Sequence, residues 1–146
     1  MPKRHRVFIF DDDEIVRMLL VDICESAGWE TYAYESPAAS PMYQAGEVRW
    51  DNRDDCVDVV IADVRMPDVN GVDFLWSTQV KQLDIDHCAV VSGYWTASME
   101  EQARAIGFTI FHKPFQVQDI RRWLDGCRVD VDPTSDSQRA RAQAER

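Results

Sequence analysis

The segment that decides the fold spans residues 7–16 and has the sequence VFIFDDDEIV. Four apolar residues run directly into four carboxylates, and apolar residues then resume. The stretch from Arg6 to Phe10 is short and too uniformly apolar for a half-exposed strand, so we expect a central strand that is buried on both faces. Adjacent carboxylates at the end of such a strand repel one another unless a positive charge compensates them. The acids therefore need a positively charged partner.

Length and composition narrow the class of protein. The chain has 146 residues, of which 45% are hydrophobic and 29% are charged, as is usual for one globular domain. No apolar run approaches the ~20 residues that span a bilayer, and no export signal is visible, so we expect a cytoplasmic protein without membrane contact. A formal charge of -10 argues against nucleic-acid binding by this chain. The four cysteines lack CxxC spacing, which favours reduced thiols over a zinc site or disulfides.

Strand-like and helix-like patterns alternate along the chain. Apolar residues at helical spacing follow the first strand and end at Gly28, which suits the turn after a helix. A later helix opens at Thr96 or Ser98, with Glu101 placed as in a capping box, and closes at Gly107. The other predicted strands are Glu30–Tyr34, Val57–Ala62, Cys88–Val91 and Phe108–Phe111. Of the other predicted helices, one begins after Ser36-Pro37, one begins after Gly71, and the last runs from Gln116 to about Cys127. Five strand–helix repeats predict a parallel sheet with helices on both faces.

Polar residues able to do chemistry fall at the ends of these strands, where ligands bind in parallel α/β sheets. Asp11 and Asp12 follow the first strand, and the third, fourth and fifth are followed by Asp63, Ser92 and Lys113. Carboxylates at a loop mouth suit Mg²⁺, which takes oxygen ligands and keeps some waters. An ammonium and a hydroxyl beside them suit the negative oxygens of a phosphoryl group. The pattern predicts metal-assisted phosphoryl chemistry.

Two segments depart from the alternation. Residues 42–56 are longer and more polar than a usual connection, and we expect a helix end plus an exposed loop there. The acids nearby are expected to be solvated: Asp51, Asp54, Asp55 and Asp58. Residues 128–146 contain few apolar side chains, which predicts a flexible tail or linker stub after a domain at residues 5–127.

Four motifs together resemble the receiver domain of the bacterial two-component response regulators. They are the strand ending in Asp11-Asp12, the block DVRMPDVNG at residues 63–71, the strand end VVSG at residues 90–93, and KPF at residues 113–115. Each motif is weak alone, but DxxMPxxxG with a later KPF is specific. The resemblance implies a flavodoxin-like (βα)5 fold, which is a doubly wound parallel five-stranded sheet with strand order 2-1-3-4-5.

The resemblance also implies roles for the acidic residues. Asp63 is the phosphoacceptor, which takes a phosphoryl group from a phosphohistidine of a sensor histidine kinase or a phosphotransfer protein. Asp12 and Asp63 bind Mg²⁺ together with the backbone carbonyl of Arg65. Asp11 acts mainly through a metal-bound water. Such a domain is not an enzyme in the usual sense, because it catalyses only its own phosphotransfer and autodephosphorylation.

The remaining site residues and the output face follow from the same resemblance. Lys113 contacts the acyl phosphate after a cis Lys113–Pro114 bond, and Ser92 moves to hydrogen-bond it. Phosphorylation then shifts the face built from the fourth helix, fifth strand and fifth helix, which is also a candidate homodimer surface. Trp95 and Trp123 fall near that face, where exposed aromatic residues would mark an interface.

The chain departs from the family pattern around this site. Ile110 stands where the family carries a switch aromatic on its last strand, with Phe111 beside it, and the segment from Gly107 to Lys113 is one residue short. Arg65 and Tyr94, each two residues after a site residue, are bulky and are expected to shield the acyl phosphate from water. We therefore expect slower hydrolysis than in a fast-signalling regulator.

Two other functions fit parts of the sequence. A haloacid-dehalogenase-type phosphatase would use Asp11 as nucleophile and Asp13 as acid/base, but it leaves the 63–71 block unexplained and lacks a later acidic pair. We expect Asp13 to cap the first helix instead. A receiver-like module that binds partners without phosphorylation is the second alternative. His5, His87 and His112 have no partner at metal-ligand spacing, so we expect structural or solvent roles for them.

Overall fold

The computed structural model describes residues 5–36, 39, 43–44, 47–48, 58–66, 70–73 and 87–131. Within these residues the chain has seven strands and three helices. The strands are β1 (Arg6–Phe10), β2 (Glu30–Tyr34), β3 (Tyr43–Gln44), β4 (Glu47–Val48), β5 (Val59–Asp63), β6 (Cys88–Ser92) and β7 (Thr109–His112). The helices are α1 (Glu14–Ser26), α2 (Ala97–Ile106) and α3 (Val117–Val131).

Five of the strands form one parallel sheet in the order β2-β1-β5-β6-β7. The short strands β3 and β4 form a separate two-stranded sheet. When the five strands of the main sheet are numbered in chain order, their order is 2-1-3-4-5, so the predicted flavodoxin-like topology is confirmed. β1 lies inside the sheet between β2 and β5, and its residues from Val7 to Phe10 are buried, as its apolar composition predicts. Because the strands are parallel, the carboxyl ends of β1, β5, β6 and β7 share one edge of the sheet.

Helices cover both faces of this sheet. On one face, Leu20 of α1 and Leu124 of α3 join the same buried cluster as Ile9. On the other face, Ala103 of α2 joins the cluster of Phe10. Successive strand residues point to opposite faces, so β1 supplies both clusters. Burial of each large aliphatic side chain stabilises the fold by about 1.5–3 kcal/mol.

The start of α1 divides the acidic run. Asp13 is the N-cap, and its side chain accepts hydrogen bonds from the backbone N–H of Ile15 at 2.9 Å and of Val16 at 3.3 Å. These bonds satisfy amides that no helical carbonyl can reach. The predicted capping role of Asp13 is confirmed.

The ends of α2 were predicted in part. Gly107 closes the helix with a left-handed φ of 105°, as expected. At the other end, Thr96 is the N-cap, and its hydroxyl accepts from the N–H of Met99 at 3.1 Å. The capping box expected from Ser98 and Glu101 is wrong, because Ser98 already lies inside the first turn.

Several strands begin or end one residue away from the predicted position. Asp63 and Ser92 are the last residues of β5 and β6, where we expected them to follow the strands, because the ladders continue through their pairs with Val91 and His112. β7 begins at Thr109, one residue later than expected. The site residues are thus held by the sheet itself.

Other boundaries are also corrected. Asp58 is buried and accepts a hydrogen bond from the backbone N–H of Arg6 at 3.0 Å, so it does not belong to a solvated loop. A helix end was expected near Tyr43, but Tyr43 pairs with Val48 in an antiparallel ladder that suits aromatic and β-branched residues. α3 continues to Val131, beyond its expected end. The rest of 42–56, the helix after Ser36-Pro37, the helix after Gly71 beyond residue 73 and the tail from residue 132 lie outside the described residues.

Gly71 lies very close to the end of β5. A Cβ at residue 71 would stand 2.0 Å from the carbonyl oxygen of Asp63, which is part of the sheet backbone. We expect Gly71→Ala to lower the free energy of unfolding by about 2–3 kcal/mol, measured by urea denaturation, because backbone must move to admit the methyl group.

Gly126 provides the matched control, since a Cβ there meets nothing within 4 Å and the residue lies inside α3. Gly126→Ala should raise the free energy of unfolding by about 0.5–1 kcal/mol. Equal effects of the two substitutions would contradict the close approach at Gly71.

Candidate functional site

The side chain of Lys113 joins two carboxylates at the carboxyl edge of the sheet. Its Nζ lies 2.7 Å from Oδ2 of Asp63 and 2.9 Å from Oδ2 of Asp11. Lys113 directly follows β7, and its backbone N–H donates to the carbonyl oxygen of Ser92 at 2.9 Å. The Lys113–Pro114 peptide bond is cis, as expected. The structure thus brings together residues from the ends of β1, β5 and β7.

Asp12 completes a cluster of three carboxylates with Asp11 and Asp63. One oxygen from each lies within 4.8 Å of the others, and this is the group among the described residues that could hold a metal ion. Asp11 is 1% exposed and Asp63 is also buried, whereas Asp12 is exposed at the mouth. The cluster therefore has a closed floor and an open rim, and its donors are the hard oxygens that Mg²⁺ prefers.

One oxygen in this cluster lacks a hydrogen-bond donor. Oδ1 of Asp11 accepts from the backbone N–H of Asp13 at 2.9 Å. Oδ2 is buried and has no hydrogen-bond partner among the described residues, although the ammonium of Lys113 lies nearby. An unsatisfied buried carboxylate oxygen is costly. A divalent cation or its bound water would satisfy it, so the residues present fit Mg²⁺.

The pKa values of Asp11 and Lys113 are both shifted by burial and by the neighbouring charges. Burial raises the pKa of the Asp11 carboxyl and the charge of Asp63 adds to the rise, while Lys113 and the Asp13 N–H oppose it. Burial alone would lower the pKa of Lys113, but its close contacts with the carboxylates of Asp63 and Asp11 and their charges outweigh burial and raise it. Lys113 is therefore charged at neutral pH, and the ionised form of Asp11 is disfavoured until further positive charge arrives.

The loop after β5 holds the Asp63 carboxylate from the other side. Oδ1 of Asp63 accepts from the backbone N–H of Arg65 at 3.0 Å. The loop folds back on itself, since the N–H of Gly71 donates to the carbonyl of Val64 at 2.9 Å and Arg65 forms an antiparallel bridge with Asn70. Each oxygen of Asp63 thus has one donor. Ligation by the Arg65 carbonyl stays a prediction.

Ser92 is buried at the end of β6, and its hydroxyl is engaged with its own loop. Oγ accepts from the backbone N–H of Tyr94 and donates to the carbonyl oxygen of Tyr94, both at 3.1 Å. These contacts form a local turn of the kind that hydroxyl side chains favour. In this state the Ser92 hydroxyl is committed to Tyr94.

Arg65 and Tyr94, which sequence reasoning identified only as bulky neighbours, contact each other. The guanidinium carbon of Arg65 lies 4.4 Å from the centroid of the Tyr94 ring, which is cation–π geometry. The two residues are 29 positions apart in the sequence and share no motif, so neither composition nor spacing predicted the contact.

Ile110 and Phe111, the two residues at the expected switch position, face opposite sides of the sheet. Ile110 packs against the cluster of Phe10 and Ala103. Phe111 packs against the other cluster and meets the ring of Trp123 edge-on, with centroids 5.9 Å apart. Neither residue lies in the loop of Ser92.

Sequence reasoning missed Arg17. Its side chain donates to the backbone carbonyl oxygen of Asp11 at 2.8 Å, so a second cation contributes to the floor of the site. The sequence does place Arg17 about one helical turn after the acids at the start of α1. A basic side chain at that spacing is attracted to the acids, so the contact could have been predicted.

Histidines and tryptophans contribute contacts outside this cluster. His112 lies 3.3 Å from Glu100 on α2, and its ring lies against Trp95, which is partly buried against the core. Trp95 and Trp123 are both partly buried against the sheet clusters, so they do not form the exposed aromatic patch that would mark an interface. The large exposed apolar side chains of the described residues include Ile15, Met18 and Leu19 on α1, Tyr94 and Val117.

Among the described residues, no helix combines the length and apolar composition needed to cross a membrane.

The fold and the site define an α/β domain with an acidic mouth at the ends of its parallel strands. Comparison with known families identifies it: the family described as response regulator receiver domain matches residues 7–125, and the chain belongs to this family. Membership supports a place in two-component signalling and removes the dehalogenase-type alternative. The capping role of Asp13 agrees, because its side chain is bound to the start of α1.

Similar proteins agree with this assignment. The sporulation initiation phosphotransferase F of Bacillus subtilis is 26% identical over 117 residues, which are 80% of this chain and 87% of the relative. The chemotaxis protein CheY of Bacillus subtilis is 28% identical over 120 residues, covering 80% and 91%. A response regulator receiver protein of Pseudoalteromonas atlantica, known from its crystal structure, shares the fold with a TM-score of 0.69 and 16% identity over 87% of this chain and 99% of that one.

The crowding at Asp11 leads to a stability prediction. We expect Asp11→Asn to raise the free energy of unfolding at pH 7, without divalent cations, by on the order of 1 kcal/mol. A raised acid pKa means that the folded state favours the proton, so ionisation of Asp11 destabilises the fold at a pH above the folded-state value. The neutral amide avoids this cost and can still accept from Asp13.

Urea denaturation with a chelator at pH 7 and at about pH 5 measures the effect. The gain from Asp11→Asn should shrink at the lower pH, where the Asp11 carboxyl is more often protonated. The exposed Asp12→Asn serves as control and should change stability less. A loss of stability in Asp11→Asn at pH 7 would contradict the interpretation.

Proposed function

We propose that this chain is the phosphoacceptor of a two-component or phosphorelay system, which takes a phosphoryl group onto Asp63 with Mg²⁺ bound. The observation that carries the proposal is the Lys113 ammonium, 2.7 Å from Asp63 and 2.9 Å from Asp11, beside the carboxylate of Asp12. Family membership supports it, and so does the name of the Bacillus subtilis relative, a phosphotransferase. The donor is a phosphohistidine of a sensor histidine kinase or a phosphotransfer protein.

The chemistry is a phosphoryl transfer to a carboxylate. An oxygen of Asp63 forms a bond to phosphorus while the nitrogen–phosphorus bond of the phosphoimidazole breaks, and the imidazole nitrogen keeps that electron pair. Lys113 neutralises charge on the phosphoryl oxygens, and the hydroxyl of Ser92 donates a hydrogen bond to one of them. The domain catalyses this transfer and the later hydrolysis of its own acyl phosphate, without acting on a separate substrate.

The residues at the mouth would hold the metal. Asp11, Asp12 and Asp63, with the carbonyl oxygen of Arg65, would hold Mg²⁺, and Asp11 would act mainly through a bound water. Bound Mg²⁺ supplies positive charge to the carboxylates and the phosphoryl oxygens. The raised pKa of Asp11 supports a site that is incomplete without a cation.

The signal leaves through the face of α2, β7 and α3. Ser92 pairs with His112 in the β6–β7 ladder and accepts from the N–H of Lys113, so a change at Ser92 has a direct route to β7. Phosphorylation biases a pre-existing equilibrium between two shapes of this face. We propose a cytoplasmic location, and we propose that the same face is a homodimer surface in the active form.

A labelling experiment tests the phosphoacceptor. With acetyl phosphate and Mg²⁺, the wild-type protein should gain one phosphoryl group on Asp63, located by mass spectrometry after reduction of the acyl phosphate. Asp63→Asn should lose the label entirely, because no carboxylate remains to attack. Asp13→Asn should keep it, since Asp13 caps α1. A label on Asp11 in the wild type would overturn the proposal.

A second experiment tests the metal. Mg²⁺ at a hundredfold excess over its Kd should stabilise the wild-type protein by about 2.7 kcal/mol, seen as a rise in Tm. Asp12→Asn should lose most of the rise, because a ligand is missing. Asp22→Asn removes another exposed acid from α1, away from the cluster, and should keep the full rise. Equal behaviour of the two variants would show that Mg²⁺ binds elsewhere.

A further inference from the structure

The contact between Arg65 and Tyr94 joins two loops at the carboxyl edge of the sheet. Arg65 lies in the loop after β5, two residues beyond Asp63, and Tyr94 lies in the loop after β6, two residues beyond Ser92. The guanidinium carbon is 4.4 Å from the ring centroid. β5 and β6 are neighbours in the sheet, so the contact links the phosphoacceptor loop to the hydroxyl loop.

No described residue forms a hydrogen bond with the Arg65 guanidinium. Its backbone N–H is bound to Asp63, but within the described residues its side chain makes the ring contact and no hydrogen bond. A guanidinium offers five N–H donors in a planar fork that matches phosphoryl oxygens. Arg65 therefore carries unused phosphoryl-binding capacity beside the residue that receives the phosphoryl group.

Ser92 controls the other half of the pair. Its hydroxyl donates its proton to the carbonyl oxygen of Tyr94 and accepts from the Tyr94 N–H. A hydroxyl has a single proton to donate. When Ser92 donates to a phosphoryl oxygen, its donation to the Tyr94 carbonyl must end, which removes one of the two bonds that hold the Tyr94 backbone beside Ser92.

Charge at the mouth favours movement of Arg65 at the same moment. Transfer replaces the single negative charge of the Asp63 carboxylate with the roughly double charge of a phosphoryl group. Lys113 is already shared between Asp63 and Asp11. A further cation beside Asp63 is then attracted more strongly to the phosphoryl oxygens than to an exposed aromatic ring.

We propose that Arg65 is a further phosphoryl-binding residue, stored on the ring of Tyr94 until Ser92 releases it. On phosphorylation its guanidinium leaves the ring and donates to the phosphoryl oxygens. The proposal rests on the phosphoacceptor role of Asp63. It differs from simple shielding by bulk, because it assigns opposite effects to the two side chains: Arg65 binds the group, and Tyr94 competes for Arg65.

Titration with beryllofluoride and Mg²⁺, a phosphoryl mimic on the acceptor carboxylate, separates these effects. Arg65→Met keeps an unbranched side chain without the charge and should weaken apparent affinity about tenfold, the usual loss for hydrogen bonds to a charged group. Tyr94→Leu frees Arg65 and should bind as tightly as the wild type or up to about threefold more tightly, because an exposed cation–π contact is weak. Arg122→Met removes another exposed guanidinium, on α3, and should leave the affinity unchanged.

NMR of the Arg65 side chain provides a readout that needs no ligand. The ring current of Tyr94 should shift the Arg65 Nε–H resonance, and Tyr94→Leu should abolish the shift. Ser92→Ala should reduce it in the unphosphorylated protein, since the ring loses its support. Beryllofluoride should remove it from the wild type.

The outcomes are distinct. Beryllofluoride binding with equal affinity in Arg65→Met and the wild type would overturn the role of Arg65 and leave the phosphoacceptor proposal standing. An unchanged ring-current shift in Ser92→Ala would overturn the release by Ser92. No Mg²⁺-dependent binding to the wild type would overturn the phosphoacceptor proposal itself, and the inference with it.

Discussion

One ammonium placed among three carboxylates is the constraint on which the rest of the structure depends. Lys113 reaches Asp63 across 50 positions of sequence and also reaches Asp11, so the ends of β1, β5 and β7 must meet. A parallel sheet with β1 inside it brings them to one edge. The charges do not balance there, because two buried carboxylates share one cation and a third lies at the rim. Burial, together with the charge of Asp63, raises the pKa of Asp11, and the acidic mouth is a place for a cation.

Much of this arrangement could be predicted from the sequence because it depends on local pattern plus one topological rule. Uniformly apolar runs identified the buried strands, and residues at their ends had to converge once the sheet was parallel. The separate function of Asp13 was also predictable, since an acid before a helical pattern satisfies free amides. The family resemblance added the strand order, which no periodicity contains.

What could not be predicted depends on contacts between distant segments or on single bonds. Thr96 and Ser98 are equally good caps by type, and only the path of the chain selects Thr96. The burial of Asp58 follows from its bond to the start of β1. The Arg65–Tyr94 contact needs two loops at a particular separation, and the hydroxyl of Ser92 has several possible acceptors. Each outcome is decided by tertiary structure at positions where residue type leaves the choice open.

Because Asp13 caps α1, the three consecutive aspartates lie in three different environments. Asp11 faces the interior, Asp12 the rim and Asp13 the first turn of α1, so three identical side chains in succession have three different surroundings. Deleting one of them would leave two aspartates for the three positions between the end of β1 and the start of α1. The number of aspartates therefore matters as well as their charge, because it sets how many residues connect β1 to α1.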